Sequence, residues 1–246
     1  MLSNNQIKLV RSLRQKKYRI QHGLFIAEGI KLVGELLQSD FELESLFCTD
    51  DYETGSANSK CQLVTEKELS RISNLSTPNK VLGLFKIPDN TSIPGEGLIV
   101  MLDDINDPGN LGTIIRLCDW FGVAHLVCSS NTVDCYNPKV VQATMGSLAR
   151  VPISYTDLES YLNTTKMPVY GAVMNGENLY KTMLGQNAIL VMGSEANGVS
   201  ESIERLLTHR LTIPRYDSSV LAESLNVATA TAIFLNEFRR EATTQK

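Results

Sequence analysis

The sequence contains few of the residues that usually build metal sites and disulfide frameworks. Its three histidines, His22, His125 and His209, stand far apart along 246 residues, which argues against a histidine-based metal site. The five cysteines are an odd set without a C-x-x-C pair. We therefore expect reduced, mostly buried thiols, with neither a zinc site nor a disulfide framework.

Long apolar runs are also missing. No stretch approaches the roughly 18 consecutive apolar residues that a membrane-spanning helix needs. The first residues, "MLSNNQIKLVRSLRQKKYR", lack the apolar core of a secretion signal. The remaining composition, 43% hydrophobic and 20% charged, is typical of a globular protein. We expect a cytoplasmic protein that binds neither membrane nor metal.

Acidic residues outnumber basic ones in the whole chain, 27 to 23, but the N-terminal stretch is basic. The net charge of -4 and the pI of about 5.5 argue against a general nucleic-acid binder. Six basic residues and no acidic one precede Glu28. They are Lys8, Arg11, Arg14, Lys16, Lys17 and Arg19. Such a cluster can bind phosphates while the rest of the surface stays acidic. A solvated basic helix face explains it equally well.

The first part of the chain predicts a small α/β domain. "QIKLVRSL" is amphipathic, and "GLFIAEGIKLVGELLQ" predicts a strand followed by a helix with Ile30, Val33 and Leu37 along one side. "LESLFCT", "CQLVT" and "VLGLFKI" are typical of short strands. The stretch from 87 to 97, with two prolines and two glycines, predicts a linker. We divide the chain into domains 1–92 and 93–246.

The second part predicts a parallel α/β sheet. The apolar runs "GLIVML", "AHLVCSS", "MPVYGAVM", "NAILVMG" and the weaker "HRLTIP" are continuous, as in strands buried on both faces. Between the first two, Ile114, Leu117, Cys118 and Phe121 follow helical spacing, and Gly122 is placed to end that helix. Ligand sites in such sheets lie beyond the carboxyl ends of the strands.

The loop after the first run contains a sharp turn and a cation. Pro108-Gly109-Asn110 can turn the chain between strand and helix. Most turns of this kind do no more, but a turn alone does not explain Arg116, about one and a half helical turns further on.

Two later loops are equally polar. "VMGSEANGVS" is glycine-rich, but Glu195 would repel a phosphate and the pattern matches neither common nucleotide-binding motif. In "IPRYDSSVLAESLNVATATAIFLNEF", Ser224 is a candidate N-cap for the following helix. Asn226, if buried, would need hydrogen-bond partners of the kind an active site supplies.

Together, "DPGNLGTIIRLCDWFG", "LVMGSEANGVS" and "IPRYDSSVLAESLNVATATAIFLNEF" resemble, in order and spacing, the three motifs of the SpoU (TrmH) family of RNA 2'-O-ribose methyltransferases, of the SPOUT class. "LRQKKYRIQHGLFIAEGIKLVGELL" is similar to the substrate-binding domain that many members carry. The resemblance covers nearly the whole chain.

The resemblance implies an α/β fold: a SPOUT catalytic domain with a parallel sheet and a C-terminal trefoil knot, preceded by an L30e-like domain that grips RNA. It also implies S-adenosylmethionine as the cofactor and a homodimer with the site at the interface. The substrate would be a ribose 2'-hydroxyl of structured RNA. The L30e-like domain favours ribosomal over transfer RNA by analogy alone.

The resemblance also assigns roles to individual residues. Arg116 would be the catalytic arginine, completed by a polar set: Asn110, Glu195, Ser224 and Asn226. The cofactor would contact Gly193, Ser194, Ile213 and Leu225, with Met174 lining the same pocket. The RNA would be bound by Arg14, Lys16, Lys17 and Arg19.

Two aspects of this assignment stay open. An arginine stays protonated in proteins, so Arg116 would act as an unusual base, or stabilise the alkoxide, or bind a phosphate that relays the proton. The third motif commonly reads Ile-Pro-Met with a shorter path to Ser-Leu-Asn. Here Arg215 follows Pro214 and the loop is longer, so Arg215 either contacts RNA or lies in solvent.

Two other functions compete with methyl transfer. The basic cluster and the altered third motif are compatible with a non-catalytic RNA-binding or ribosome-assembly protein that kept the fold. The glycines of the second loop also allow an unrelated nucleotide-binding enzyme, although Glu195 and a missing lysine argue against it.

Overall fold

A computed structural model describes residues 1–50, 52, 59–89, 92–215 and 224–240. The chain forms two compact units. The first unit combines Met1–Asp89 with Asp134–Arg150, and the second combines Asn90–Val133 with Val151–Lys246. The predicted boundary at residue 92 lies close to the first crossing between them. Residues 134–150 belong to the first unit although they follow part of the second, and no feature of the sequence predicted this.

The elements alternate along the chain. The helices of the described residues are α1 (Asn4–Ser12), α2 (Lys16–His22), α3 (Ile30–Leu37), α4 (Glu66–Ile72), α5 (Pro108–Trp120), α6 (Pro138–Ala143), α7 (Leu158–Leu162), α8 (Glu201–Glu204) and α9 (Val227–Arg240). The strands are β1 (Leu24–Glu28), β2 (Leu43–Cys48), β3 (Cys61–Leu63), β4 (Val81–Lys86), β5 (Leu98–Asp103), β6 (His125–Ser129), β7 (Ile153–Thr156), β8 (Val169–Asn178), β9 (Ala188–Gly193) and β10 (His209–Thr212).

The first unit is built on a mixed sheet in the order β1-β4-β2-β3. Two of its helices begin with capping boxes, Ser3 with Gln6 for α1 and Thr65 with Glu68 for α4. In each, side chain and backbone satisfy one another's free groups at the helix start. Apolar side chains of α1, α4, β1 and β4 pack into one core. The strands predicted for this part of the chain are all present.

Helix α3 buries a different face from the one predicted. Leu32, Val33 and Leu36 are buried, whereas Ile30 is 46% exposed and Leu37 is half-buried. The buried set follows the i, i+1, i+4 spacing of a helix lying flat on a sheet. The predicted stripe of Ile30, Val33 and Leu37 is therefore wrong except at Val33.

The expectation of five reduced cysteines is also wrong for one pair. Cys48 and Cys61 form a disulfide, while Cys118, Cys128 and Cys135 are buried and not disulfide-bonded. Cys48 ends β2 and Cys61 begins β3, and these strands run parallel as neighbours. Pairing of the two strands brings the thiols together, which a sequence separation of 13 does not reveal.

The second unit contains the predicted parallel sheet. Its six strands run in the order β10-β8-β9-β5-β6-β7, and all five neighbouring pairs are parallel. Each residue of the central β5 is buried, as continuous apolar runs predict. The edge strand β7 was not predicted, because it is short and only partly buried.

Helix α5 connects β5 to β6. Its buried face is Leu111, Ile114, Ile115 and Cys118, and Gly122 lies just past its end with a φ of 59°. This is the conformation in which glycine ends helices. From the end of α9, the Arg239 side chain donates to the carbonyl oxygens of Phe121 (2.8 Å) and Gly122 (2.6 Å). The C-terminal ends of α5 and α9 are therefore fastened together.

Residues 216–223, within the third motif, lie outside the described residues, and the trefoil knot stays a prediction. None of the helices in the described ranges combines the length and apolarity that a membrane span requires.

Candidate active site

The three predicted loops leave the same edge of the parallel sheet. Asp103, the last residue of β5, is the register partner of Gly193, the last residue of β9. The carboxylate of Asp103 accepts a hydrogen bond from the Ser200 amide at 2.8 Å. The start of the first loop is therefore tied to the end of the second.

The first loop turns directly into α5. Asp107 is the N-cap, and its Oδ1 accepts a hydrogen bond from the Asn110 amide at 2.8 Å. Pro108 occupies the first helical turn, where its missing N–H costs nothing. Asp107 was not among the predicted site residues, although Asp-Pro before an apolar helix is a recognisable helix start. This cap fixes the position from which the Asn110 side chain projects.

The second loop is a tight turn that presents Glu195. Ser194 and Gly198 exchange two backbone hydrogen bonds of 3.0 and 2.9 Å. A Cβ on Gly193 would overlap the backbone of Gly198 and Val199. Gly198 has a φ of 68°, which favours glycine. Both glycines are therefore needed for the turn itself, and Glu195 projects from it exposed.

The third loop ends in a helix cap formed by Asn226. Its Oδ1 accepts hydrogen bonds from the amides of Ala228 (3.0 Å) and Thr229 (3.2 Å), at the start of α9. The predicted N-cap, Ser224, is wrong because α9 begins two residues later than its spacing requires. Asn226 is exposed, and its side chain has hydrogen-bond partners all the same.

One carboxylate oxygen joins the three loops. Glu195 Oε1 accepts hydrogen bonds from Asn110 Nδ2 (3.1 Å), Asn226 Nδ2 (2.8 Å) and the Val227 amide (3.3 Å). Asn226 Nδ2 also donates to Asn110 Oδ1 at 2.9 Å. Each amide group has one orientation that satisfies this network, because its oxygen faces donors and its nitrogen faces acceptors. We call Asn110, Glu195 and Asn226 the polar triad.

Arg116 and Ser224 lie outside this triad. Arg116 is exposed on α5, about 9 Å along the helix axis from Asn110 at 1.5 Å per residue. Its guanidinium forms no hydrogen bond or ion pair with the described part of the chain. The side chain is thus available to a ligand. Ser224 is exposed as well.

Two of the predicted cofactor residues, Ser194 and Leu225, adjoin the triad in the chain, and two others, Met174 and Ile213, lie near each other. The Thr212 hydroxyl, at the end of β10, donates to the Met174 carbonyl oxygen at 3.2 Å. This bond brings Met174 near Ile213, while Leu225 precedes Asn226 and Ser194 precedes Glu195 in the chain. Met174 and Leu225 are 58% and 48% exposed. Exposed apolar side chains, here Met174 within β8 and Leu225 just before α9, suit the faces of an adenosine group.

The four residues predicted to contact RNA differ in exposure and in their hydrogen-bond partners. Lys16 and Lys17 are exposed, and so is Arg14, which donates to the Ser73 carbonyl oxygen at 2.8 Å. Arg19 is 2% exposed and pairs with Asp134 at 2.5 Å. The structure does not support a phosphate contact for Arg19, because its donors already face Asp134 and the carbonyl oxygens of residues 13 and 14.

Clusters of three or more potential metal ligands do not occur among the residues that the structure describes. The described part of the site offers the polar triad, with Arg116 on the exposed side of α5. Such a site can orient a hydroxyl and a polar ligand by hydrogen bonds.

Comparison with known proteins places the chain in a family. The model of the SpoU rRNA Methylase family matches residues 97–236, and that of the MRM3-like substrate binding domain matches residues 4–83. The 23S rRNA (guanosine(2553)-2'-O)-methyltransferase RlmP of Bacillus subtilis is 30% identical over 96% of each chain.

Solved structures agree with this match over the whole chain. A protein from Porphyromonas gingivalis assigned to the TrmH family of RNA methyltransferases is 42% identical, with a TM-score of 0.90 over 98% of this chain and 99% of that one. The AdoMet-bound rRNA methyltransferase of Sinorhizobium meliloti is 29% identical, with a TM-score of 0.88 over 98% and 96%. With its three motifs joined at Glu195 and both family models matched in order, this chain belongs to the SpoU rRNA methylase family.

Proposed function

We propose that this protein transfers a methyl group from S-adenosylmethionine to a ribose 2'-hydroxyl of ribosomal RNA. The observation that carries the proposal is the polar triad, in which one residue from each family motif meets at Glu195 Oε1. The names of the relatives point the same way, since RlmP acts on a 2'-oxygen of 23S rRNA and the S. meliloti enzyme binds AdoMet.

The cofactor would be held by the predicted cofactor residues. Met174, Ile213 and Leu225 offer apolar surface, and the ends of β9 and β10 offer backbone groups for the adenine edge. The cofactor supplies an activated sulfonium methyl group, so the protein has to align a nucleophile with it. Alignment of this kind can contribute several kcal/mol to a reaction rate.

Arg116 would act on the ribose hydroxyl. An arginine side chain offers five N–H donors and no acceptor, so it is better suited to stabilise a developing alkoxide, or to hold an RNA phosphate, than to remove a proton. The triad would hold the start of α5, and with it Arg116, in a fixed relation to the cofactor residues. Ser224 would add a hydroxyl contact from the third loop.

The active enzyme would be a homodimer. The outer face of α5 contains Gly109, Thr113, Arg116 and Trp120, spaced for one side of a helix, and all are exposed. Trp120 is 84% exposed, and a partner packed on this face would remove its ring from water. A second copy packed on this face would also enclose Arg116. Trp120→Glu should yield monomers in sedimentation velocity, and an unchanged dimer would contradict this assignment.

The first unit would bind the RNA through Arg14, Lys16 and Lys17, the exposed members of the basic cluster. The matched MRM3-like substrate binding domain covers all of them. A cytoplasmic location stays a prediction, since a disulfide such as Cys48–Cys61 is more common in oxidising compartments.

The first experiment is transfer of a labelled methyl group from S-adenosylmethionine to total RNA from cells lacking this protein. Nuclease digestion then locates the label. We expect it on a ribose 2'-oxygen of ribosomal RNA, and Arg116→Ala should remove the transfer while the fold and cofactor binding persist. Label on a base would overturn the chemistry. Absence of cofactor binding in calorimetry would favour the non-catalytic RNA-binding alternative.

A further inference from the structure

A cavity of about 330 Å³ lies within the first unit, separate from the methylation site. Its lining includes Pro138, Val141 and Ala143 of α6, together with Leu75, which follows α4. The floor is β1, where Glu28 is 5% exposed. Its volume is at the lower end of the range for small-molecule sites, roughly 300–1,000 Å³. A single nucleoside fits such a space, whereas a helix or an extended peptide does not.

The floor of the cavity is rigid. Glu28 accepts hydrogen bonds from the Ser73 hydroxyl (2.5 Å) and from the amide and side chain of Asn74 (2.8 Å each). A carboxylate has about four acceptor sites, and three are occupied here. These bonds hold Asn74 at the rim of the cavity with its side-chain oxygen left over.

Three polar groups at this cavity have unused hydrogen-bonding capacity. Within the part of the chain that the structure describes, the Gln142 side-chain amide makes no hydrogen bond, and the Lys139 ammonium has no carboxylate partner. The Asn74 side-chain oxygen likewise accepts none. Apolar walls with a few polar groups are typical of small-ligand sites, and a lysine beside them suits a ligand that carries a phosphate.

We propose that this cavity binds an unstacked nucleobase of the RNA substrate. Pro138, Val141 and Leu75 would contact the two faces of the base, Gln142 and Asn74 its polar edge, and Lys139 the adjacent phosphate. Proteins that recognise RNA by sequence commonly splay single bases out of loops in this way. The inference rests on the proposed function for its ligand class and goes beyond it, since it makes α6 part of the substrate-recognition surface.

Other ligands fit the observations less well. A phosphate alone would be held by several cations or backbone amides, whereas this cavity has one lysine. A lipid chain would leave the amides of Asn74 and Gln142 without partners.

Cofactor-free protein and ribosomal RNA transcripts allow a direct test. Ala143→Leu fills the cavity and is compatible with the helix, so RNA affinity should fall about tenfold. Gln142→Ala should lower it about threefold, the effect of one neutral hydrogen bond. Lys139→Ala should reduce the salt-dependence slope by about one unit. The control is Lys67→Ala, an exposed lysine of α4 outside the cavity, expected to change affinity less than about twofold by the same reasoning.

A second measurement locates the base itself. RNA containing thiouridine and thioguanosine is photo-crosslinked to the wild-type protein, and the adducts are mapped by mass spectrometry. We expect an adduct within residues 138–143. If RNA affinity is unchanged in Ala143→Leu and Gln142→Ala, and no adduct falls in this segment, the proposal is wrong. If Ala143→Leu fails to fold, Gln142→Ala and the adducts still decide.

This outcome can be separated from the fate of the proposed function, because binding is measured without methyl transfer. Wild-type methylation with no effect of the cavity variants would refute the cavity proposal alone. Weakened RNA binding in the variants of a protein that transfers no methyl group would refute the proposed function alone.

Discussion

At the scale of single residues, Asn226 has two functions in one side chain. Its oxygen caps α9 by accepting from Ala228 and Thr229, while its nitrogen donates to Asn110 and Glu195. The first function stabilises a helix and the second orders the site. An amide performs both because it has an acceptor oxygen and a separate donor nitrogen.

Two substitutions separate these functions. Asn226→Ala should lower the free energy of unfolding by about 1 kcal/mol through loss of the cap, and should also disrupt the triad. Asn226→Asp keeps a good cap but places a carboxylate against Glu195, so activity should fall with little loss of stability. Denaturant unfolding and methyl-transfer assays measure the two effects. Equal activity of wild type and Asn226→Asp would mean that the triad does not order the site.

Within the basic cluster, Arg19 is buried and contributes to stability, whereas Lys16 and Lys17 are exposed and are the proposed RNA contacts. Arg19→Ala removes one partner of a buried ion pair and leaves Asp134, whose side chain is 14% exposed, uncompensated. We expect a loss of about 3–5 kcal/mol in unfolding free energy. Lys16→Ala and Lys17→Ala should leave stability unchanged and each lower the salt slope of RNA binding by about one unit. Stable folding of Arg19→Ala would contradict the buried role.

A buried histidine should make stability depend on pH. His125 is 2% exposed, its Nε2 lies 2.9 Å from Ser154 Oγ, and burial lowers its pKa. Since the folded state then binds fewer protons than the unfolded one, the free energy of unfolding should fall as pH drops below about 6.5, the unfolded value. Chemical unfolding between pH 7.5 and 5 measures the slope, which His125→Asn should reduce. His22→Asn, at an exposed position, should not change it.

At the scale of elements, the second unit is the more predictable half. Its strands are continuous apolar runs, which indicate a parallel sheet directly, and the helix stop at Gly122 is confirmed. Elements set by tertiary context were missed: β7 is a short edge strand of the second unit, and α6 of the first unit begins at Pro138 with only Val140 and Val141 buried. The triad was anticipated through motif resemblance, whereas its hydrogen-bond geometry and the change of cap from Ser224 to Asn226 required the structure.

A substitution in the turn after β9 tests whether the backbone conformation of this turn is required for activity. Gly193→Ala places a methyl group into the backbone of Gly198 and Val199, so the turn must open and carry Glu195 away from Asn110. We expect a loss of methyl transfer of at least about 100-fold, the size of effect seen when reacting groups are misplaced by an ångström. The control is Gly185→Ala, where the nearest atom to the new methyl group is 3.8 Å away. Its activity should match the wild type.

At the scale of the whole molecule, the first unit is discontinuous in sequence. Asp134–Arg150 belongs to it, although it follows β6 of the second unit. The segment supplies Asp134 to Arg19, packs Tyr136 against Phe25 with ring centroids 4.8 Å apart, and donates from Arg150 to Glu35. A fragment ending at residue 89 therefore lacks the partners of three buried or half-buried side chains.

Fragments can measure this dependence. Residues 1–89 alone should unfold without a cooperative transition, because Arg19 loses its carboxylate and β1 its cover by α6. Joining residues 134–150 to the same fragment by a short flexible linker should restore a cooperative melt in circular dichroism. A cooperative transition in residues 1–89 alone would show that the first unit folds without residues 134–150.

The split also has a consequence for how the protein is made. When the first 89 residues have left the ribosome, the first unit is still missing α6, and translation must add roughly sixty residues more, a delay of about 3–12 s at the usual 5–20 residues per second. During that interval Phe25 lacks its contact with Tyr136, and Arg19 lacks its ion pair with Asp134. The nascent chain would then be most open to chaperones and proteases before its central strands are complete, and slow codons between positions 89 and 150 would prolong that exposure.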